Sequence, residues 1–331
     1  QAKFVHTVSA GYVTGSVFVL AISAWYLLKG RHVAFAKRSM TVAASFGLAS
    51  ALSVVVLGDE SGYTAGQNQK MKIAAIEAMW DTEPAPASFT VFGLPDLGTH
   101  TTRYEVTIPW MLGLIATRST DTPVPGISEL VGIARTNIAD GLIAYRALDA
   151  IKADPRDEAA RRALDAHVGQ LGYALLLKGI RPDIENATPD EIARAAASTI
   201  PNVPVLFWSF RLMVGLGLWF IALFAVSFWL SAKRQLDRWR PYLWAALLTL
   251  PLPWVAAELG WIVAEYGRQP WVIVGVLPTA LGVSSTPAGN VLFSLLGFAL
   301  FYSCLLVVDL YLLVKYIRLG PEASPRTEEA A

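Results

Sequence analysis

Five stretches of about 20 mostly apolar residues, at 4–28, 40–57, 205–230, 242–266 and 291–316, constrain this chain more than any other feature. A helix rising about 1.5 Å per residue needs about 20 residues to cross a hydrocarbon core about 30 Å thick. In such a core every backbone N–H and C=O must find its partner within the protein, which makes helices the natural form for these stretches. The long segment between the second and third of them, 58–204, is hydrophilic. The expected class is therefore all-α, a polytopic transmembrane helix bundle with a long extracytoplasmic hydrophilic loop. It divides into helices one and two (1–57), the loop (58–204), helices three to five (205–317) and a tail (318–331). Pro251 and Pro253 interrupt the fourth span.

Charge placement gives the orientation. The turn at 29–38 carries Lys29, Arg31, Lys37 and Arg38, the turn at 232–240 carries Lys233, Arg234, Arg238 and Arg240, and Lys315 and Arg318 follow the fifth span. Five consecutive crossings put these three places on one side, and short loops rich in Lys and Arg are cytoplasmic. The expectation is a multi-pass membrane protein with the loop facing outward and the C-terminus cytoplasmic. The formal net charge of +1 hides this asymmetry, because the loop alone holds 13 Lys and Arg against 19 Asp and Glu.

Several function classes drop out. There is no basic run and no RNA-stacking motif, so nucleic acid is not an expected partner. Cys304 is the single cysteine, which excludes an internal disulfide, a CxxC zinc site and a four-thiolate cluster. The four histidines, His6, His32, His100 and His167, are scattered, unlike the imidazole-rich core of a copper-containing oxidase.

Within the loop, 66–80 reads as a short amphipathic helix, 86–125 as a Pro- and Thr-rich loop, and 127–150 and 155–178 as helices. Thr188, Pro189 and Glu191 spell a helix start: an N-cap, a proline at the first helical position and the carboxylate of a capping box.

Ionisable groups inside spans are costly and point to function. Arg211, Glu258, Glu265 and Asp309 are such groups. Glu258 and Glu265, seven residues apart, share one helix face. His6 at the outer end of the first span, Met213 about 12 Å in from the outer end of the third, and Glu265 at the outer end of the fourth are three potential metal ligands at similar depth. Each has a plainer reading as well: an interfacial histidine, a packed methionine, and a carboxylate paired with Arg268 three residues on. The residues by themselves allow heme binding or proton transport.

The motifs choose between these. The segment ELGWIVAEYGRQPW at 258–271 resembles the GWxxAExGRQPW signature of subunit I of the cytochrome bd quinol oxidases. KFVHTVSAGYVTG (3–15), GDESGY (58–63), QKMKIAAIEAMW (69–80), IATRSTDTP (115–123) and FRLMVG (210–215) resemble the same family in the same order. The resemblance covers nearly the whole chain. It implies that His6 and Met213 are the axial ligands of a low-spin heme b, with Arg211 beside the heme propionates. Glu265 would be the axial carboxylate of a high-spin heme b next to heme d, with Glu258 and Trp261 as catalytic neighbours. Lys72 and Glu77 would bind ubiquinol in the outward Q loop, whose length and GYALLLKGIRPDIENAT segment (172–188) resemble the long-loop subtype.

The activity so implied is electrogenic quinol:O2 oxidoreduction: ubiquinol oxidised at the periplasmic side, O2 reduced to water, and a proton motive force generated. The implied partners are subunit II, a small single-helix subunit and the lipid bilayer. The family subunit carries four further helices before the His6 helix, so the chain is expected to be the C-terminal part of subunit I, catalytic only with the rest of the complex. Two alternatives are a non-catalytic fragment and a membrane transporter working through Glu258, Glu265 and Arg211.

Overall fold

The structure, a computed structural model, describes residues 2–321. The apolar stretches are helical. Helix α1 spans Ala2–Leu28, α2 Val33–Asn68, α9 Val203–Ala232 and α12 Ala288–Leu319, and each is long and apolar enough to cross a membrane. The fourth stretch is two helices, α10 (Arg240–Leu248) and α11 (Leu252–Glu265), bent by 42° at the break and counting as a fifth span if taken together. Pro251 and Pro253 account for the break, since proline lacks the N–H that the ladder needs. The tail assigned to 318–331 lies, from residue 322 on, outside the described residues.

Helix α2 differs from expectation at its far end. It runs on through GDESGYTAGQN to Asn68 rather than stopping at 57. Hydropathy falls there because the helix no longer needs apolar side chains, not because the helix ends. The loop therefore begins inside a helix.

The chain forms two compact units. The first comprises 1–11, 50–219 and 252–283. In it, α3 (Lys70–Glu77) ends at Ala78 in the left-handed region. Where a Pro- and Thr-rich loop was expected at 86–125, the chain makes an antiparallel hairpin of β1 (Phe89–Asp96) and β2 (Thr101–Ile108), followed by α4 (Met111–Thr117). The hairpin reflects β-branched Thr and Val in both strands. Its turn is set by the Asp96 carboxylate, which accepts hydrogen bonds from the Gly98 and Thr99 backbone N–H groups. A second small hairpin, β3 (Trp271–Ile273) with β4 (Leu277–Pro278), follows α11.

Helix α5 (Ile127–Ala153) matches its expected position, whereas the single helix expected at 155–178 is broken. It resolves into α6 (Glu158–His167), α7 (Leu171–Ala174) and short 3-10 turns. The capping box opening α8 (Pro189–Ala197) forms as the residues spell it: Thr188 Oγ1 accepts from Glu191 N, and the Glu191 carboxylate accepts from Thr188 N at 2.8 Å.

Two of the apolar clusters among the described residues tie the loop helices together and to the start of α9. One joins α3, the start of α5 and the start of α9 through Ala74, Ile76, Trp80, Ile127, Leu206 and Phe207. The other joins α5, α7 and α8 around Ile138, Leu142, Leu177 and Trp271. The second unit comprises, among the described residues, 12–49, 220–251 and 284–321. Within it, Tyr242 donates to the Leu223 carbonyl and Tyr26 to the Ile317 carbonyl, and Lys37 pairs with Asp237 at 3.0 Å.

Candidate functional site

The eight residues to which the resemblance gives a role all lie in the first unit. Lys72 and Glu77 sit on α3, a helix that ordinary amphipathicity would leave half in solvent. Both are instead buried, at 5% exposure each.

The reason for Glu77 is Arg211 of α9. Its guanidinium pairs with the Glu77 carboxylate at 3.0 Å. Its other donors reach the Ile76 carbonyl at 2.7 Å, the Phe207 carbonyl at 3.1 Å and the Thr90 carbonyl of β1, which takes two of them. The cation also lies 3.4 Å from the centre of the Phe207 ring. All five guanidinium donors are thus engaged by protein partners. The resemblance gave Arg211 to heme propionates; here the guanidinium joins α3, β1 and α9. Burial raises the Glu77 carboxyl to about 7, with Arg211 and a Thr90 backbone hydrogen bond opposing the rise.

Lys72 faces α11. Its Nζ donates to the Ala264 carbonyl at 2.7 Å, and the Gly267 backbone passes beside its side chain. Burial lowers the Lys72 amine to about 8; Lys3 and Arg268 add to the lowering, and Glu265 opposes it. Two groups on one short helix therefore exchange protons near neutrality, which an exposed lysine and glutamate do not.

Glu265 is half-buried and salt-bridged to Arg268, the pairing that its spacing allowed. Glu258 and Trp261 are exposed on α11, Trp261 at 61%. Asp309, on α12, is exposed and belongs to the second unit.

His6 and Met213 each face a glycine on another helix. A Cβ at Gly58 of α2 would come within 3.2 Å of His6 Cε1, and a Cβ at Gly260 of α11 would come within 3.2 Å of Met213 Sδ. His6 has a backbone hydrogen bond with Val54, while its Nδ1 is buried with no hydrogen-bond partner among the described residues. An orphaned imidazole nitrogen and a thioether packed against a glycine are donors of the type that a heme iron takes as axial ligands. Among the described residues no cluster of three His, Cys, Asp or Glu side chains forms a site for a bare metal ion.

Sequence reasoning missed three contributors: Thr90, which both accepts from Arg211 and donates to Glu77, and the glycines at 58 and 260. The glycines sit inside the GDESGY and ELGW motifs, where their backbone role could have been asked about. Thr90 gave no signal, because its part is played by main-chain atoms.

Comparisons with known proteins agree with this arrangement of elements. The model of the family described as cytochrome bd terminal oxidase subunit I matches residues 1–321. Cytochrome bd-II ubiquinol oxidase subunit 1 of Escherichia coli (strain K12) is 40% identical over 98% of this chain and 63% of its own length. Cytochrome bd ubiquinol oxidase subunit 1 of Bacillus subtilis (strain 168) is 27% identical over 97% of this chain and 57% of its own. The solved structure of the bd oxidase from Geobacillus thermodenitrificans superposes with a TM-score of 0.65 at 21% identity, over 97% of this chain and 58% of that one, and so shares the fold. The chain spans about three-fifths of the length of these relatives.

Proposed function

Because the chain belongs to the cytochrome bd terminal oxidase subunit I family, we propose that it forms the quinol-oxidising part of a terminal oxidase and that Lys72 and Glu77 are its quinol site. The observation that carries this reading is the burial of both groups on α3, one tied to α9 two residues from Met213 and the other tied to α11 next to Glu265.

Oxidation of a quinol releases two electrons and two protons. Lys72 is positioned to hold a quinol oxygen through an ammonium hydrogen whenever its amine is charged. Glu77, ionised above about pH 7, is the proton acceptor. Arg211 positions that carboxylate and stabilises its charged form. A neutral Glu77 hands its proton back to the loop side, which this reading takes as periplasmic from the Lys and Arg of the short turns.

His6 and Met213 would hold a low-spin heme b and Glu265 a high-spin heme b, and these groups with heme d would supply the electron transfer and the reduction of O2 to water. Glu265 then has two states, paired with Arg268 or released from it; Glu258 and Trp261 present a carboxylate and an indole on the same helix. With proton release on one side and proton consumption drawn from the other, turnover generates a proton motive force. The reading includes subunit II and a small single-helix subunit as partners, ubiquinol as substrate and the bacterial inner membrane as location.

The test is a comparison of electron donors using the full-length complex. Lys72→Ala and Glu77→Ala each raise the apparent KM for quinol while oxidation of an artificial donor that bypasses the loop continues. Equal loss of both activities would remove Lys72 and Glu77 from the quinol site.

A further inference from the structure

Away from the residues proposed for quinol and heme, the second unit holds an open pocket of about 610 Å³ where the start of α2 meets the end of α9 and the turn that follows it. Its floor is the hydrogen bond between the Thr41 and Ser231 hydroxyls, 2.5 Å apart. Val42 and Leu236 supply apolar wall. Three cations stand around it: Lys37, Arg38 and Arg234. Lys37 is paired with Asp237 at 3.0 Å. Arg38 and Arg234 are exposed, and neither shows an ion pair among the described residues.

The backbone gives a second, independent observation. Helix α9 ends in a Schellman turn, with Gln235 N bonded to the Leu230 carbonyl and Arg234 N to the Ser231 carbonyl, both at 2.9 Å. Arg234 is the left-handed residue of that turn, at φ 55°. Glycine or asparagine ordinarily fills this position, since a Cβ is strained there. The turn places Arg234 at the rim of the pocket, opposite Lys37 and Arg38 of α2.

The surroundings identify the ligand. Phe35, Trp229, Trp239 and Trp244, all from the same unit, are each about half exposed. Aromatic side chains together with Lys and Arg at helix ends mark the membrane–water interface. A phosphate anion would satisfy the cations, and the apolar wall beside them suits the glycerol and upper acyl region attached to that phosphate. A freely soluble phosphate would leave the apolar wall unused.

We propose that this cavity binds the headgroup of an anionic phospholipid, with Arg38 and Arg234 as its phosphate ligands and the Thr41–Ser231 hydroxyl pair beneath it. The site does not depend on the quinol reading.

The full-length complex is equilibrated with mixed phosphatidylglycerol and phosphatidylcholine vesicles, released into detergent and examined by native mass spectrometry. The wild type retains phosphatidylglycerol in preference to phosphatidylcholine. Arg38→Gln with Arg234→Gln lowers that retention about thirtyfold, the effect of two juxtamembrane cations. Lys233→Gln with Arg238→Gln, which removes two cations of the same turn that do not line the cavity, leaves retention as it was. Arg234→Gly removes one phosphate ligand while relieving the left-handed strain, so lipid retention falls and the thermal midpoint does not. Equal retention of the two lipids, or equal loss in both double variants, overturns the site. Displacement of the lipid by excess inorganic phosphate overturns the lipid assignment in favour of a free-anion site.

Discussion

Glu77 and Arg211 form a buried pair, and a buried pair is informative through what happens when half of it is removed. Arg211→Met leaves the Glu77 carboxylate and several backbone carbonyls without their donor, a loss of about 3–5 kcal/mol. Adding Glu77→Gln to that variant restores much of it. Limited proteolysis across 69–90 in the two variants measures this, and equal cleavage in both would dissolve the pairing. The pH dependence has a definite sign. The folded carboxyl at about 7 lies above its ordinary 4.5, so the native state keeps a proton that the unfolded chain has released. Stability from this group therefore falls as pH rises from about 4.5 to about 7, and Glu77→Gln flattens that interval in thermal melts. The quinol rate runs the other way, rising as Glu77 ionises near 7; Glu77→Gln lowers kcat/KM on the order of a hundredfold, as loss of a general base does. Lys72 and Glu77 were singled out in the sequence because a motif of this length carries them. The partners of Arg211 were not, because most are main-chain carbonyls of α3, β1 and α9, and a carbonyl leaves no mark in the residue string.

Among the elements, legibility followed the strength of the local signal. The capping box of α8 and the proline break between α10 and α11 are short-range chemistry, and both formed where the residues spell them. The β1–β2 hairpin was read as loop because prolines and threonines at 86–125 mask two strands closed by the short turn that follows Asp96. The helix expected at 155–178 broke because its apolar residues pack against α5 in short pieces. Trp271, which closes the family signature, is legible as a motif residue, yet its side chain fills the core between α5, α7 and α8. Trp271→Ala costs about 3–5 kcal/mol through the cavity it leaves, and faster hydrogen exchange in α5 and α8 than in α1 reports it. Thr188→Ala, which removes only a cap, costs about 1 kcal/mol and confines the change to α8. Uniform exchange in both variants would mean that the loop is not built around these elements.

At the scale of the whole molecule, hydropathy and charge gave an expected number of spans and an expected orientation, while the family resemblance gave the chemistry now proposed. The orientation is open to direct labelling: with Cys304 replaced by Ala, Glu158→Cys reacts with an impermeant maleimide in intact cells, and Lys233→Cys reacts only after permeabilisation. The reverse pattern would invert the topology and with it the side of proton release. The central claim is that this chain carries electrons from a quinol at α3 to a low-spin heme held by His6 and Met213. The reduced-minus-oxidised optical spectrum of the full-length complex carrying Met213→Leu tests it most directly. The account predicts that the low-spin heme b signal converts to high-spin, because leucine offers no axial donor; a spectrum identical to wild type would contradict it.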